Sequence, residues 1–313
     1  MSEQTNSTDQ SLSFDELPDA PPKRKIKLSW PGKIGIAIVL FWSVIVVIGP
    51  TISPYHEADI LDEELFIVPG SDEIYPETEF QPPSKIVYLG SDYIGRDLLS
   101  RILYGARTTI GISVLATLLA YLIGVTAGIA ASVGSRYLDM GLSRVTDALL
   151  SIPSIMFALV LVAAVISPGI FWLILITGFI YAASVFRIAR SLGQEVMVSD
   201  FVEAAKVRGE GLWWIITREI LPNIAMPLAT DFGLRFVWVI LFISSLSFLG
   251  LGVQPPMSDW GSMVKENLPG LVLGSYAPLM PAFAIASLTI SVNMIVDDLS
   301  AATGGKLAKR MIS

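Results

Sequence analysis

The sequence predicts an all-α membrane protein with six transmembrane helices and both termini in the cytoplasm. Three observations carry this. Of 313 residues, 53% are hydrophobic and only 16% charged, against about 25% charged in soluble domains. The charges cluster, leaving uncharged runs long enough to cross a bilayer as helices. Lysine and arginine fall unequally on the two sides of those runs.

Residues 1–28 are polar, rich in Ser, Asp and Pro, and read as a disordered cytoplasmic tail that ends in Lys23, Arg24, Lys25 and Lys27. Ile34 to Ile52 then runs without a charge; at 1.5 Å per residue it spans roughly 28 Å, one crossing. A cleaved signal peptide is the competing reading. The long polar lead and the lack of a small-residue cleavage site before Pro50 or Pro54 argue against it. The first unit is thus 29–107: one helix plus a polar, irregular, extracytoplasmic segment, with nine acids and no base over 57–79.

A five-helix core is predicted over 108–300. Thr108–Ser135 is one uncharged run, and Ala148–Phe186 is too long for one helix. Ser167-Pro168-Gly169, in its middle, predicts a hairpin between two spans. A charged loop, 187–222, follows. Residues 223–251 form the fifth span, and the sixth begins near Tyr276 in the uncharged run Asn267–Val296. Residues 301–313 are a cytoplasmic tail. Gly124, Gly128 and the alanines among the spans suit close helix packing.

With the N-terminus inside, 15 Lys and Arg residues fall on cytoplasmic segments and five outside (Lys85, Arg96, Arg101, Arg107, Lys265). Arg101 and Arg107 run against the rule, and the reading places them in a long outer loop. The net charge of −7 offers no basic footprint for nucleic acid. With no cysteine and one histidine, His56, the chain has neither thiol chemistry nor a plausible transition-metal set. It carries no HExxH, GxSxG or GxxxxGK[ST] motif, so catalysis and phosphate cradling within this chain are not expected.

The informative loop reads Glu203-Ala204-Ala205-Lys206-Val207-Arg208-Gly209, then Ile220-Leu221-Pro222 after ten residues. Asp200 can cap a short helix, with Glu203 closing a capping box. Ala204 and Ala205 give a slim face, and Gly209 allows a sharp turn. The product is a short helix across the cytoplasmic face. It is either a docking knob or simply a capped connector.

That stretch resembles the Glu-Ala-Ala motif of ABC importer permeases. Leu89-Gly90-Ser91-Asp92-Tyr93-Ile94-Gly95-Arg96-Asp97 and Ser247-Phe248-Leu249-Gly250-Leu251-Gly252, with Trp260-Gly261 beyond, resemble segments of the dipeptide/oligopeptide (nickel) branch, C-type. The resemblance implies a type I importer permease fold. It also implies a homologous second permease, two ATPase subunits that hold ATP and Mg, and an extracytoplasmic solute-binding protein. Glu203, Ala204, Ala205 and Gly209 would contact the ATPase. The C-terminal stretch Val296-Asp297-Asp298-Leu299-Ser300 departs from the family's Gly-Asp-x-Leu-Arg-Asp.

Other residues keep two readings. Asp92, Arg96, Asp97 and Arg101 form either a local ion-pair cluster or a contact for a binding protein or gate. Gly95 belongs to the same block. Trp260 reads as an interfacial anchor. Asp231 and Arg235, four apart in the fifth span, either pair with each other or line the passage; Asn293 either bonds between helices or does the same. The expected function is a permease for di- or oligopeptides. Another solute (a nickel complex or an oligosaccharide) and an ATPase-independent channel or sensor are the alternatives.

Overall fold

The computed structural model describes residues 29–62, 78–165 and 169–310, with side chains as far as 301. The predicted tail 1–28 and most of the acidic segment lie outside the described residues. Those described contain no β-strand, only two isolated bridges, Ile60 to Arg96 and Ser91 to Asp97.

Helix α1 (Trp30–Ile52) starts at Ser29, whose hydroxyl accepts from Gly32 N–H at 3.2 Å. Helix α2 (Leu98–Val133) begins well before Thr108, because Asp97 caps it through Ser100 N–H at 2.7 Å. Arg101 and Arg107 are therefore helical residues, which corrects their placement in a loop.

The third span is not a single rod. Helix α3 (Arg136–Ser151) meets α4 (Ser154–Ala164) at 90°. Pro153 is the cause. Its ring pushes Ile152 out of the helical region, to φ −90°, ψ 130°, and it has no N–H to continue the ladder. The Ala148–Phe186 reading missed this break. Gly169 precedes α5 (Ile170–Met197) in extended conformation; Ser167 and Pro168 of the predicted hairpin are outside the described residues.

Helix α5 carries on past Arg187, so the loop is shorter than predicted. It holds α6 (Asp200–Val207), the single turn α7 (Leu212–Trp214) and a π-helical turn, Ile215–Ile220, which runs into α8 (Leu221–Phe248). Pro222 accounts for the π turn. It cannot donate to a preceding carbonyl, and the register widens so that Leu221 N–H bonds Ile216 O. Asn223 Nδ2 donates to Glu219 O at 2.7 Å.

Helix α9 (Trp260–Asn267) and a 3₁₀ turn, Leu268–Leu271, lead to α10 (Leu279–Arg310). The last helix thus continues beyond the predicted end of the core at 300. Among the described residues, five helices are long and apolar enough to cross a membrane, and the bent α3–α4 pair makes six if it is one broken span.

Helices α2 and α5 make the most extensive contact. A Cβ on Gly128 would lie 2.8 Å from Ala189 Cβ and 2.8 Å from Phe186 O; one on Gly124 would meet Val185 Cβ at 2.6 Å. The missing side chains let the two backbones approach. Helix α1 lies along α10, and Asp298 accepts from Ser29 N–H at 2.8 Å. The departed C-terminal motif thus places a carboxylate at the positive end of α1. The starts of α1, α6 and α8 and the end of α10 share one end of the bundle. Residues 53–62, 78–97 and 249–278 cap the other.

Candidate functional site

Helix α6 stands on the bundle by two residues. Val202 and Ala205 are fully buried, and Val202 belongs to the same apolar cluster as Ile129, Ala189, Ile215, Ile220 and Ile224. Glu203, Ala204, Lys206, Val207 and Gly209 are exposed. Ala205 therefore packs inward, whereas its neighbour Ala204 faces out. The N-cap is Ser199 rather than Asp200, with no side-chain cap bond; Asp200 and Glu203 sit in the first turn, where carboxylates favour the helix dipole.

Gly209 ends the helix at φ +84°. Glu210 N–H bonds Ala205 O at 3.2 Å and Gly209 N–H bonds Lys206 O at 2.9 Å, a Schellman closure. Five exposed apolar residues lie on α6 and the turns flanking it: Val198, Phe201, Val207 (84% exposed), Leu212 and Trp213 (76% exposed). Five acids (Glu195, Asp200, Glu203, Glu210, Glu219) and three bases (Lys206, Arg208, Arg218) lie in residues 195–219.

Asp231 and Arg235 pair at 3.2 Å across one turn of α8. Tyr121 of α2, unsuspected from sequence, donates its hydroxyl to Asp231 Oδ2. The pair heads a stripe of exposed positions on an otherwise packed helix: Leu234, Trp238, Leu241, Ser245 and Phe248. The upper part of the stripe borders an open groove of about 410 Å³, with Ile155, Val264 and Ile285 on its other walls. Asn293 is half-buried, and its side chain makes no hydrogen bond among the described residues.

At the opposite end, Asp92 is fully buried. Its Oδ1 accepts from the N–H groups of Ile94 and Arg96 at 3.0 and 2.9 Å. Its Oδ2 takes Arg96 Nε at 2.7 Å and Arg101 Nη1 at 2.6 Å. Glu266 of α9 completes the network, 3.2 Å from Arg96 and 2.9 Å from Arg101. Asp97 does not join it; it caps α2, and burial raises its carboxyl above the usual range despite the Ser100 hydrogen bonds. Gly95 turns the chain at φ +84°. The cluster reading of these residues thus matches the geometry, with Glu266 added and Asp97 removed.

Trp260 is fully buried, not an interfacial anchor. Its indole donates to Ile102 O at 3.1 Å and stacks edge-on against Trp42, centroids 4.8 Å apart. Asp259 beside it accepts from the Thr109 hydroxyl at 2.8 Å and from Ser262 N–H at 3.0 Å; burial raises its carboxyl too.

Residues 120–303 match the family model described as the binding-protein-dependent transport system inner membrane component. The chain is 31% identical over 276 residues to the dipeptide transport system permease protein DppC of Alkalihalophilus pseudofirmus, covering 88% of this chain and 85% of that one. It is 30% identical to DppC of Bacillus subtilis, over 91% of this chain and 85% of that one. It is 31% identical to the glutathione transport system permease protein GsiD of Pectobacterium atrosepticum, over 72% and 74%. With its apolar helices and this match over most of the bundle, the chain belongs to the family of inner membrane components of binding-protein-dependent transport systems, and is a multi-pass permease subunit of the cytoplasmic membrane.

Proposed function

We propose that this permease forms half of the translocation pathway for di- and oligopeptides, and that α6 is its docking helix for a partner ATPase. The observation that carries the docking reading is the two-sidedness of α6. Val202 and Ala205 root it in the core, while Glu203, Ala204, Val207 and Gly209 face out. A helix fixed on one face and bare on the other can pass a push from a partner to α5 and α8, whose Ala189 and Ile224 share the cluster of Val202. The exposed apolar residues around α6 add to that surface, and the surplus of acids favours a basic counterpart.

The second permease is a homologous chain, two ATPases hold ATP and Mg, and a binding protein delivers the peptide. The relatives' dipeptide and glutathione systems support the substrate class. The α6 end is cytoplasmic. The 15-to-5 division of Lys and Arg supports this. Two of the five exceptions, Arg96 and Arg101, are neutralised in the Asp92–Glu266 network. Asp231, Arg235 and the exposed stripe above them face the second permease and the passage, where a charged pair can meet the termini of a zwitterionic peptide. Nucleotide closes the ATPases, moves the paired docking helices and biases the permease pair between two states.

Cysteine cross-linking tests the docking. The native sequence has no cysteine, so Ala204→Cys is a unique handle. It should cross-link to the ATPase in the assembled complex, and Ala205→Cys should not. An uptake-competent complex in which Ala204→Cys never cross-links to the ATPase would count against α6 as the docking element.

A further inference from the structure

We propose that the turn between α9 and α10, residues 268–276, is a wedge that inserts into the lipid leaflet at the capped end of the bundle. Its tip is an exposed apolar surface. Val272 is 90% exposed, Leu273 72%, and Leu268, Leu271 and Tyr276 are exposed as well.

Three features favour lipid over water or a soluble partner. First, the backbone donors of the tip are internally satisfied. Val272 N–H bonds Pro269 O at 3.1 Å, Leu273 N–H bonds Gly270 O at 3.0 Å, Gly274 N–H bonds Leu271 O at 3.2 Å and Ser275 N–H bonds Gly270 O at 2.8 Å. The last two, with Gly274 at φ +78°, make a Schellman closure. Paired donors make such a turn less costly to desolvate at the membrane interface than an open loop.

Second, no ionisable Asp, Glu, Lys or Arg occurs from Asn267 to Val296. A docking surface for a soluble protein carries a polar, charged rim. The nearest acid, Glu266, is engaged with Arg96 and Arg101. Third, the tip is continuous with the exposed apolar residues that open the last span, Leu279 and Phe283 (72% exposed), and Tyr276 stands at the join as amphipathic rings do at bilayer interfaces. The base is packed: Gly270 lies against the Phe80 ring, and Ala277 is buried. The wedge would fix the height of α9, and hence of Glu266 and Trp260, relative to the membrane.

The test is a spin label at Val272→Cys in the full transporter in proteoliposomes, with Leu273→Cys as a second site and exposed Lys85→Cys as the aqueous reference. Labels at 272 and 273 should collide with oxygen several-fold more readily than with a water-soluble nickel chelate, and Lys85→Cys should show the reverse. Adding binding protein should leave the 272 and 273 values unchanged. Nickel accessibility equal to that at 85 would overturn the wedge. So would shielding from both reagents, as under a second permease, or a change on adding binding protein. If 272 disturbs folding, the 273 label decides alone.

Discussion

Arg101 Nη1 lies 2.9 Å from Glu266 and 2.6 Å from Asp92, joining the first turn of α2 to α9 and to the Asp92 turn in one buried network. Arg101 and Asp92 are both buried, so loss of either leaves a charge poorly compensated by solvent.

Arg101→Met leaves Asp92 and Glu266 facing only Arg96. Removing one member of a buried charge network costs about 3–5 kcal/mol, and thermal unfolding of the purified chain in detergent should fall accordingly. Glu266→Gln should cost less, because Asp92 still holds both arginines. Equal, small effects would mean that water reaches the network.

Ala204→Leu and Ala205→Leu separate docking from folding. Ala205 has no exposed surface, and overfilling such a site costs about 1–3 kcal/mol; the variant should lose stability. Ala204→Leu should unfold as the native chain does and lose affinity for the ATPase in pull-down.

Gly209→Val puts a β-branched residue at φ +84°, a conformation such residues rarely adopt. The turn after α6 should deform, and, if α6 docks the ATPase as proposed, the expected result is ATP hydrolysis that continues while uptake falls.

Gly128→Val should push α2 from α5, since its first carbon already meets Ala189 and Phe186. Gly111→Ala, with open space around it, should be neutral. Unfolding midpoints of the two variants check the contrast.

Asp97 gives a pH dependence. Burial raises its folded carboxyl above the ordinary 3.8, so the folded state keeps the proton to higher pH than the unfolded chain does. Its contribution to stability is greatest below 3.8 and diminishes as pH rises through the raised folded value. Asp97→Asn keeps a cap acceptor without the charge. The variant's advantage over the native chain should be present at neutral pH and vanish at low pH; a constant difference would contradict this.

Much of this architecture is legible locally. Uncharged runs report spans because a charge in a bilayer is costly, and Gly209 reports its turn because positive φ favours glycine. What escaped depended on distant partners or backbone register. Glu266 is about 165 residues from Arg101, and nothing in its own neighbourhood marks it as part of the Asp92 turn. Tyr121 reads as one more apolar span residue until α8 brings Asp231 to its hydroxyl. Ala204 and Ala205 are identical in sequence and opposite in orientation, which only the position of Val202 against the core decides. Pro153 was a readable signal for the bend in the third span, obscured by the uncharged run around it.

The central claim is ATP-driven import of peptide through this chain. The most direct measurement is accumulation of a radiolabelled dipeptide in proteoliposomes holding this permease, its second permease and the ATPases, with binding protein and ATP supplied on their respective sides. The account predicts uptake against a gradient that requires ATP and binding protein and is lost in Gly209→Val. Equilibrative peptide flux that persists without nucleotide, at the same rate in Gly209→Val, would contradict it.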